Sequence, residues 1–245
     1  LTSCAGNRRP RPEVHSRQRF NCRAVRRTRH AGALGCLAAA VLSACLAASA
    51  QKAAPDRLLP ADDGLDQPDF FSFRARLQAT IARRDVPALL AVIHPNIKNS
   101  FGGDDGIQKF RENWKLPAPD SELWHELAAV LALGGRFRES TFVAPYTFSD
   151  FPETLDAAEH VVVVGSEVRV RSAPRLDASV VGSSSFGILR IAQGALHDAG
   201  WTGVRINNGR TGYVAAALAR SPLDYRAIFS RGPGGWRLVT FVAGD

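Results

Sequence analysis

Apolar residues follow two different spacings along this chain. From Phe70 to Leu131 they recur every three or four positions, the period of helices; from Val161 onward they alternate, the period of strands. Phe70, Phe73, Leu77 and Ile81 predict one face of a helix capped by Asp69. Asp85 caps a shorter helix, with Pro87 in its first turn, Leu89, Leu90 and Ile93 after it, and His94-Pro95 at its end. Asn96 to Phe101 is a candidate strand. The turn Gly102-Gly103-Asp104-Asp105-Gly106 leads from it into a helix over Ile107 to Trp114. Ser121 opens another helix, with Leu123, Trp124, Leu127, Val130 and Leu131 on one face and Gly134-Gly135 as its stop. Thr141 to Ala144 reads as a strand.

The second half begins with the apolar run Val161 to Val164. Val168 and Val170 then alternate with Glu167, Arg169 and Arg171, and Leu189 and Ile191 flank Arg190 in the same way. Thr202, Val204 and Ile206 share one parity, Asn207-Asn208-Gly209 is a turn, and Tyr213-Val214 begins the next strand. Short strands between turn signals predict a small all-β barrel or sandwich. Residues 224–229 and 236–242 alternate around Gly232-Pro233-Gly234-Gly235 and form a hairpin. A hairpin alone is not stable in water. This one is expected to pair with 96–101 and cover the helices, which makes the fold class α+β.

The order Val168-Arg169-Val170-Arg171-Ser172-Ala173-Pro174, Gly200-Trp201-x-x-Val204 and Gly209-Arg210-Thr211-Gly212-Tyr213-Val214 resembles the bacterial SH3 domain family. The resemblance implies an SH3-like β-barrel at 159–222 that binds peptide or cell-wall ligands in envelope proteins. It sets Trp201 at the position of the groove tryptophan. Ala215 and Leu218 fill the groove's other aromatic and proline positions, so a proline-rich ligand is not expected. Trp201 has the opposite parity to Val204 and Ile206, which argues for the outer face; a bulge at Gly203 would instead turn the indole into the core. Arg169, Arg171 and Arg205 share the outward parity, so acidic groups or carboxylates are the expected partners.

The remaining pieces weakly resemble the nuclear-transport-factor-2-like, or SnoaL-like, cone fold. They are the helix pair, His94-Pro95-Asn96-Ile97, the Gly-Gly-Asp-Asp-Gly turn with its helix, and the Gly-Gly-Trp-Arg hairpin. This resemblance implies an α+β domain made of 69–158 plus 223–245, with the barrel inserted into it or following it. Some members of that fold place an Asp–His pair in an apolar pocket for acid–base work.

Composition adds a compartment. With 45% hydrophobic and 22% charged residues, the chain reads as ordinary globular protein. Its net charge of +8 arises within residues 1–50, which hold nine of the 31 basic residues and one of the 23 acidic ones, leaving 22 of each beyond. No basic stripe remains to neutralise phosphates, so nucleic acid is not an expected partner. Arg26, Arg27, Arg29 and His30 precede the apolar stretch Ala31 to Ala48 and then Ala48-Ser49-Ala50. Residues 25–50 therefore read as an export signal, too short and weakly apolar for a membrane span. Residues 1–24 are unpatterned, and Val25 is expected to be the true start. Leu42-Ser43-Ala44-Cys45 resembles a lipobox, so Cys45 is a lipidation candidate. The apolar run continues past it, which favours cleavage after Ala50. Residues 51–68, with Pro55, Pro60, Pro68 and four Asp, read as a linker.

Familiar catalytic motifs are missing. His125-Glu126 has Ala129 where a zincin needs its second His, and Gly182-Ser183-Ser184-Ser185 lacks the second Gly of a nucleophile elbow. All four cysteines lie at or before Cys45, so no Cys–His nucleophile, disulfide or thiolate metal site forms beyond it. No cofactor or metal is expected. His94, Asp104, Asp105 and His125 are the remaining catalytic candidates. The ordinary reading makes Asp104 a helix cap, Asp105 exposed and both histidines structural. Two functions follow: an exported, non-catalytic envelope-binding protein, or a small cone-fold hydrolase or isomerase using His94 and Asp104.

Overall fold

The computed structural model describes residues 56–192, 200–206 and 209–244. The readings of the leader, Cys45, Ala50 and the Asn207-Asn208 turn lie outside them. Helix α1 (Pro68–Arg83) starts with Pro68 at its first position and buries Phe70, Phe73, Leu77 and Ile81, the face its spacing predicts. Asp69 lies inside the helix and is not its cap: Gln67 holds that position. The Asp69 carboxylate accepts from Trp236 Nε1 at 3.1 Å and pairs with Arg231 at 3.0 Å. Helix α2 (Val86–Val92) is capped as predicted, with Asp85 accepting from the Ala88 N–H at 3.0 Å. Strand β1 (Ile93–Lys98), helices α3 (Ile107–Asn113) and α4 (Leu123–Ala132), the hairpin β2 (Arg136–Arg138) and β3 (Thr141–Ala144), and the short α5 (Tyr146–Ser149) follow. After them come β4 (His160–Val163), β5 (Val168–Arg171), β6 (Val180–Ser184), β7 (Ile188–Arg190), β8 (Trp201–Arg205), β9 (Thr211–Ala215) and β10 (Ala219–Arg220), then β11 (Arg226–Gly232) and β12 (Gly235–Val242).

The protein is α+β. One five-stranded sheet runs β1-β12-β11-β3-β2. The C-terminal hairpin forms its centre, β12 pairs with β1 in parallel, and the other pairings are antiparallel. Helices α1 and α4 cover this sheet. Phe70, Phe142, Phe229 and Leu238 lie wholly buried between them, in one core with Leu123 and Leu127.

Between β3 and β11 in sequence, a three-stranded sheet β10-β4-β7 and a four-stranded sheet β6-β5-β9-β8 share a smaller core. It contains Val161, Val163, Val168, Val170, Val204 and Val214. A bridge between Ile191 and Val204 links the two sheets. Among the described residues they do not close into one barrel.

Residues 56–67 are not the loose linker their composition predicts. The Leu58 N–H donates to Phe186 O at 2.8 Å, and Leu58 is buried with Tyr146 and Val162 between the two cores. Asp62 accepts from the buried Arg74 at 2.6 Å, and Asp63 accepts from Arg136 at 2.7 Å. Gly134 has φ +63, and a Cβ there would lie 2.6 Å from Ala61 O, so this segment presses directly against the end of α4. The Pro- and Asp-rich stretch is a strap held by distant partners.

Tyr146 gives the fold an alkaline limit. Its buried hydroxyl has no hydrogen-bond partner among the described residues, and burial pushes its pKa up to about 12. Above the usual tyrosine pKa of about 10, the unfolded chain releases a proton that the folded chain retains, so stability falls as pH rises through that window. Tyr146→Phe should flatten this part of the stability profile, as checked by urea melts between pH 8 and 12. An unchanged profile would assign the alkaline loss to other groups.

Candidate functional site

β8 runs antiparallel to β9 with unbroken register, from Trp201 opposite Ala215 to Arg205 opposite Thr211. The Gly203 bulge therefore does not form, and alternation decides the faces. Val204 enters the smaller core, whereas Trp201 belongs to none of the core clusters and takes the outer face. The indole is nevertheless only 9% exposed. It lies in a groove of about 380 Å³, whose lining includes Leu176, Leu218, Ala215, Arg169 and Arg171. Leu176 is 77% exposed and Leu218 40% exposed. Large apolar side chains held this far in water beside a sheltered tryptophan form a patch suited to an apolar group of a partner.

One rim is polar. Arg169 is exposed, and the half-buried Arg171 donates to Ala178 O at 2.8 Å, which holds its guanidinium beside the turn that carries Leu176. Glu167, also at the groove, accepts from the hydroxyls of Ser185 at 2.9 Å and Ser183 at 3.2 Å. The arrangement offers an apolar slot with guanidinium donors beside it, so it can hold an apolar side chain next to a carboxylate.

Arg205 is not part of this groove. It shares Trp201's parity but lies four residues along β8. It lines a separate concavity with Ser183 and Arg210 and donates to Gly209 O at 2.8 Å. Sequence reasoning missed Leu176, which sits in a Pro-Arg-Leu-Asp turn with no periodicity; it set Leu218 at a groove position, but as a departure from the SH3 pattern and not as a binding residue.

The acid–base candidates are not brought together in a pocket. Half-buried His94 accepts at Nδ1 from the Asn96 N–H at 3.1 Å, within its own strand. Asp104 is exposed and does not cap α3, whose N-cap is Gly106 with φ +95. Exposed Asp105 accepts from the Asn99 N–H at 3.0 Å. His125 is exposed on α4. The interior that a cone fold would open as a cavity is filled by Phe70, Phe73, Phe142 and Phe229. Among the described residues no three His, Cys, Asp or Glu side chains are grouped to hold a metal, and no helix is long and apolar enough to cross a membrane. Comparison of the chain with protein-family models, curated proteins and solved structures finds no match.

Proposed function

We propose that this chain is an exported binding protein of the bacterial cell envelope, acting without catalysis. Its module of β4 to β10 recognises a peptide or cell-wall ligand through the Trp201 groove. The observation that carries this reading is the sheltered indole on the outer face, flanked by exposed Leu176 and Leu218 and by Arg169 and Arg171. The two small sheets around one valine-rich core agree with an SH3-like module set within the larger α+β domain. The ligand expected from the groove's chemistry pairs an apolar side chain with a carboxylate, as peptide C-termini and stem peptides do.

The test is retention of purified peptidoglycan and of carboxylate-terminated peptides by residues 51–245. A tryptophan at a binding centre typically contributes about 2 kcal/mol or more. Trp201→Ala is therefore expected to weaken retention at least roughly tenfold, with the circular dichroism spectrum of the parent. Retention equal to the parent's would remove Trp201 from the site.

Export rests on the Arg-rich segment followed by the Ala- and Leu-rich run up to Ala50. A fusion of residues 25–60 to a reporter active only outside the cytoplasm is expected to be active. Mass spectrometry of the mature N-terminus then distinguishes Gln51 from a lipidated Cys45. A well-expressed but silent fusion would sink the export reading.

A further inference from the structure

Three charged side chains line the Trp201 groove: Glu167, Arg169 and Arg171. The two guanidiniums suit a ligand's carboxylate, but the carboxylate of Glu167 repels one. We infer that the groove takes a zwitterion, a ligand whose apolar part carries both a carboxylate and an ammonium group. This rests on the groove being the recognition site, and it narrows the ligands that the groove selects.

Unmatched charge is the first reason. Glu167 and Arg169 are both exposed, two positions apart, and line the same groove. Among the described residues neither forms an ion pair, with the other or with any third group, and Arg169 makes no hydrogen bond. In water such charges need no partner. A ligand that packs its apolar part against the indole takes water from them, and a charge that loses water without a partner is costly. A purely anionic ligand would cover Arg169 and Arg171 and set its negative charge beside Glu167, a like-charge contact that opposes binding. An ammonium on the same ligand removes that repulsion and brings three N–H donors to a group that only accepts.

The setting of Glu167 is the second reason. Its backbone is left-handed, with φ +50, which a residue with a Cβ keeps only where its surroundings hold it. Ser185 does so: its hydroxyl accepts from the Glu167 N–H at 2.8 Å and donates to Oε1 at 2.9 Å. Ser183 donates to Oε2 at 3.2 Å. Ser183 stands opposite Arg169 in the β5–β6 pair, so the carboxylate is held on the Arg169 side of the sheet. Each carboxylate oxygen retains acceptor capacity after its one serine bond. Glycine would adopt this backbone without cost; what glutamate adds at position 167 is an oriented negative charge. The ligand's apolar part then lies against Trp201, Leu176 and Leu218, its carboxylate meets Arg169 and Arg171, and its ammonium meets Glu167.

Isothermal titration of the full chain tests this with the dipeptide alanyl-leucine in three forms: unmodified, N-acetylated and C-amidated. The unmodified form is expected to bind at least roughly tenfold more tightly than either of the others, since each of those lacks one charge-assisted contact. Free leucine, titrated beside them, distinguishes the source of the zwitterion. Binding as tight as the dipeptide's supports an α-amino acid head group; weaker binding supports the two ends of a short peptide. Glu167 is exposed, so Glu167→Gln is expected to keep the parent's melting temperature and to bind the unmodified and N-acetylated forms equally. Binding of the N-acetylated or the amidated form by the parent as tight as that of the unmodified one would overturn the inference. So would a preference for the free amine that survives Glu167→Gln, or no saturable binding of any form. Retention of peptidoglycan then shows whether the groove itself falls: a loss on Trp201→Ala leaves it standing as a site without selection for the ammonium.

Discussion

A chain ending at Pro222 is expected to lose the fold of its helical half. The truncation removes β11 and β12, and these are the second and third strands of the five-stranded sheet. Without them β1 loses its strand partner, because among the described residues its only pairing is with β12. The β2–β3 pair is left as an isolated hairpin, which is marginal at best in water. The loss also strips Ala227, Phe229, Leu238 and Phe241, all at most 1% exposed, from beneath α1 and α4. Near-ultraviolet circular dichroism is the direct readout, since Trp114 packs on Tyr225 and Phe241, both removed. The expected outcome is loss of the native near-ultraviolet bands and of a cooperative melt. A truncated chain that kept both would mean that the hairpin is not the centre of this core.

Phe70→Ala is expected to be the most damaging single substitution. The ring is wholly buried and lies 4.2 Å from Phe142, 4.9 Å from Trp236 and 5.5 Å from Phe137, with Phe73 and Phe229 within 6.0 Å. These neighbours come from α1, β2, β3, β11 and β12, so the cavity cannot collapse by moving one element. Phenylalanine-to-alanine changes in such sites cost about 3–5 kcal/mol, a large part of the 5–15 kcal/mol that roughly holds a domain folded. Phe71, the next residue, is 47% exposed, and Phe71→Ala is expected to change stability by no more than about 0.5 kcal/mol. Equal effects of the two substitutions in chemical denaturation would contradict this account of the core.

The helical face Phe70-Phe73-Leu77-Ile81 was legible because a three-to-four spacing has one structural solution, and Asp85 because a cap acts locally. The C-terminal hairpin was legible for the same reason. Its pairing with the strand after α2 was expected, but over 96–101 and not over Ile93–Lys98, and its parallel direction was not read, since the direction of a distant partner leaves no mark on alternation. β6 was missed because it is exposed along most of its length, which removes the periodic signal, and β2 because it has only three residues. The strap at 56–67 looked like a linker because its fastenings, Asp62 to Arg74 and Asp63 to Arg136, are visible only in three dimensions.

The candidate groove was half legible. Parity argued for Trp201 on the outer face, with a bulge at Gly203 as the alternative, and the unbroken β8–β9 register removes that bulge; parity does not measure distance along a strand, and Arg205 lines a different concavity from Trp201. Of the covering leucines, Leu176 comes from a turn where no pattern announces it, and Leu218, after β9, was placed at the groove only through the SH3 resemblance.

Leu176 and Leu218 also give the most direct test of the groove as the recognition site. Both are exposed, so Leu176→Ser/Leu218→Ser should leave the melting temperature of residues 51–245 nearly unchanged. Retention of peptidoglycan and carboxylate-terminated peptides by this variant is expected to fall at least roughly tenfold, as for Trp201→Ala. A folded double variant that retains these ligands as well as the parent does would contradict the assignment of recognition to this groove.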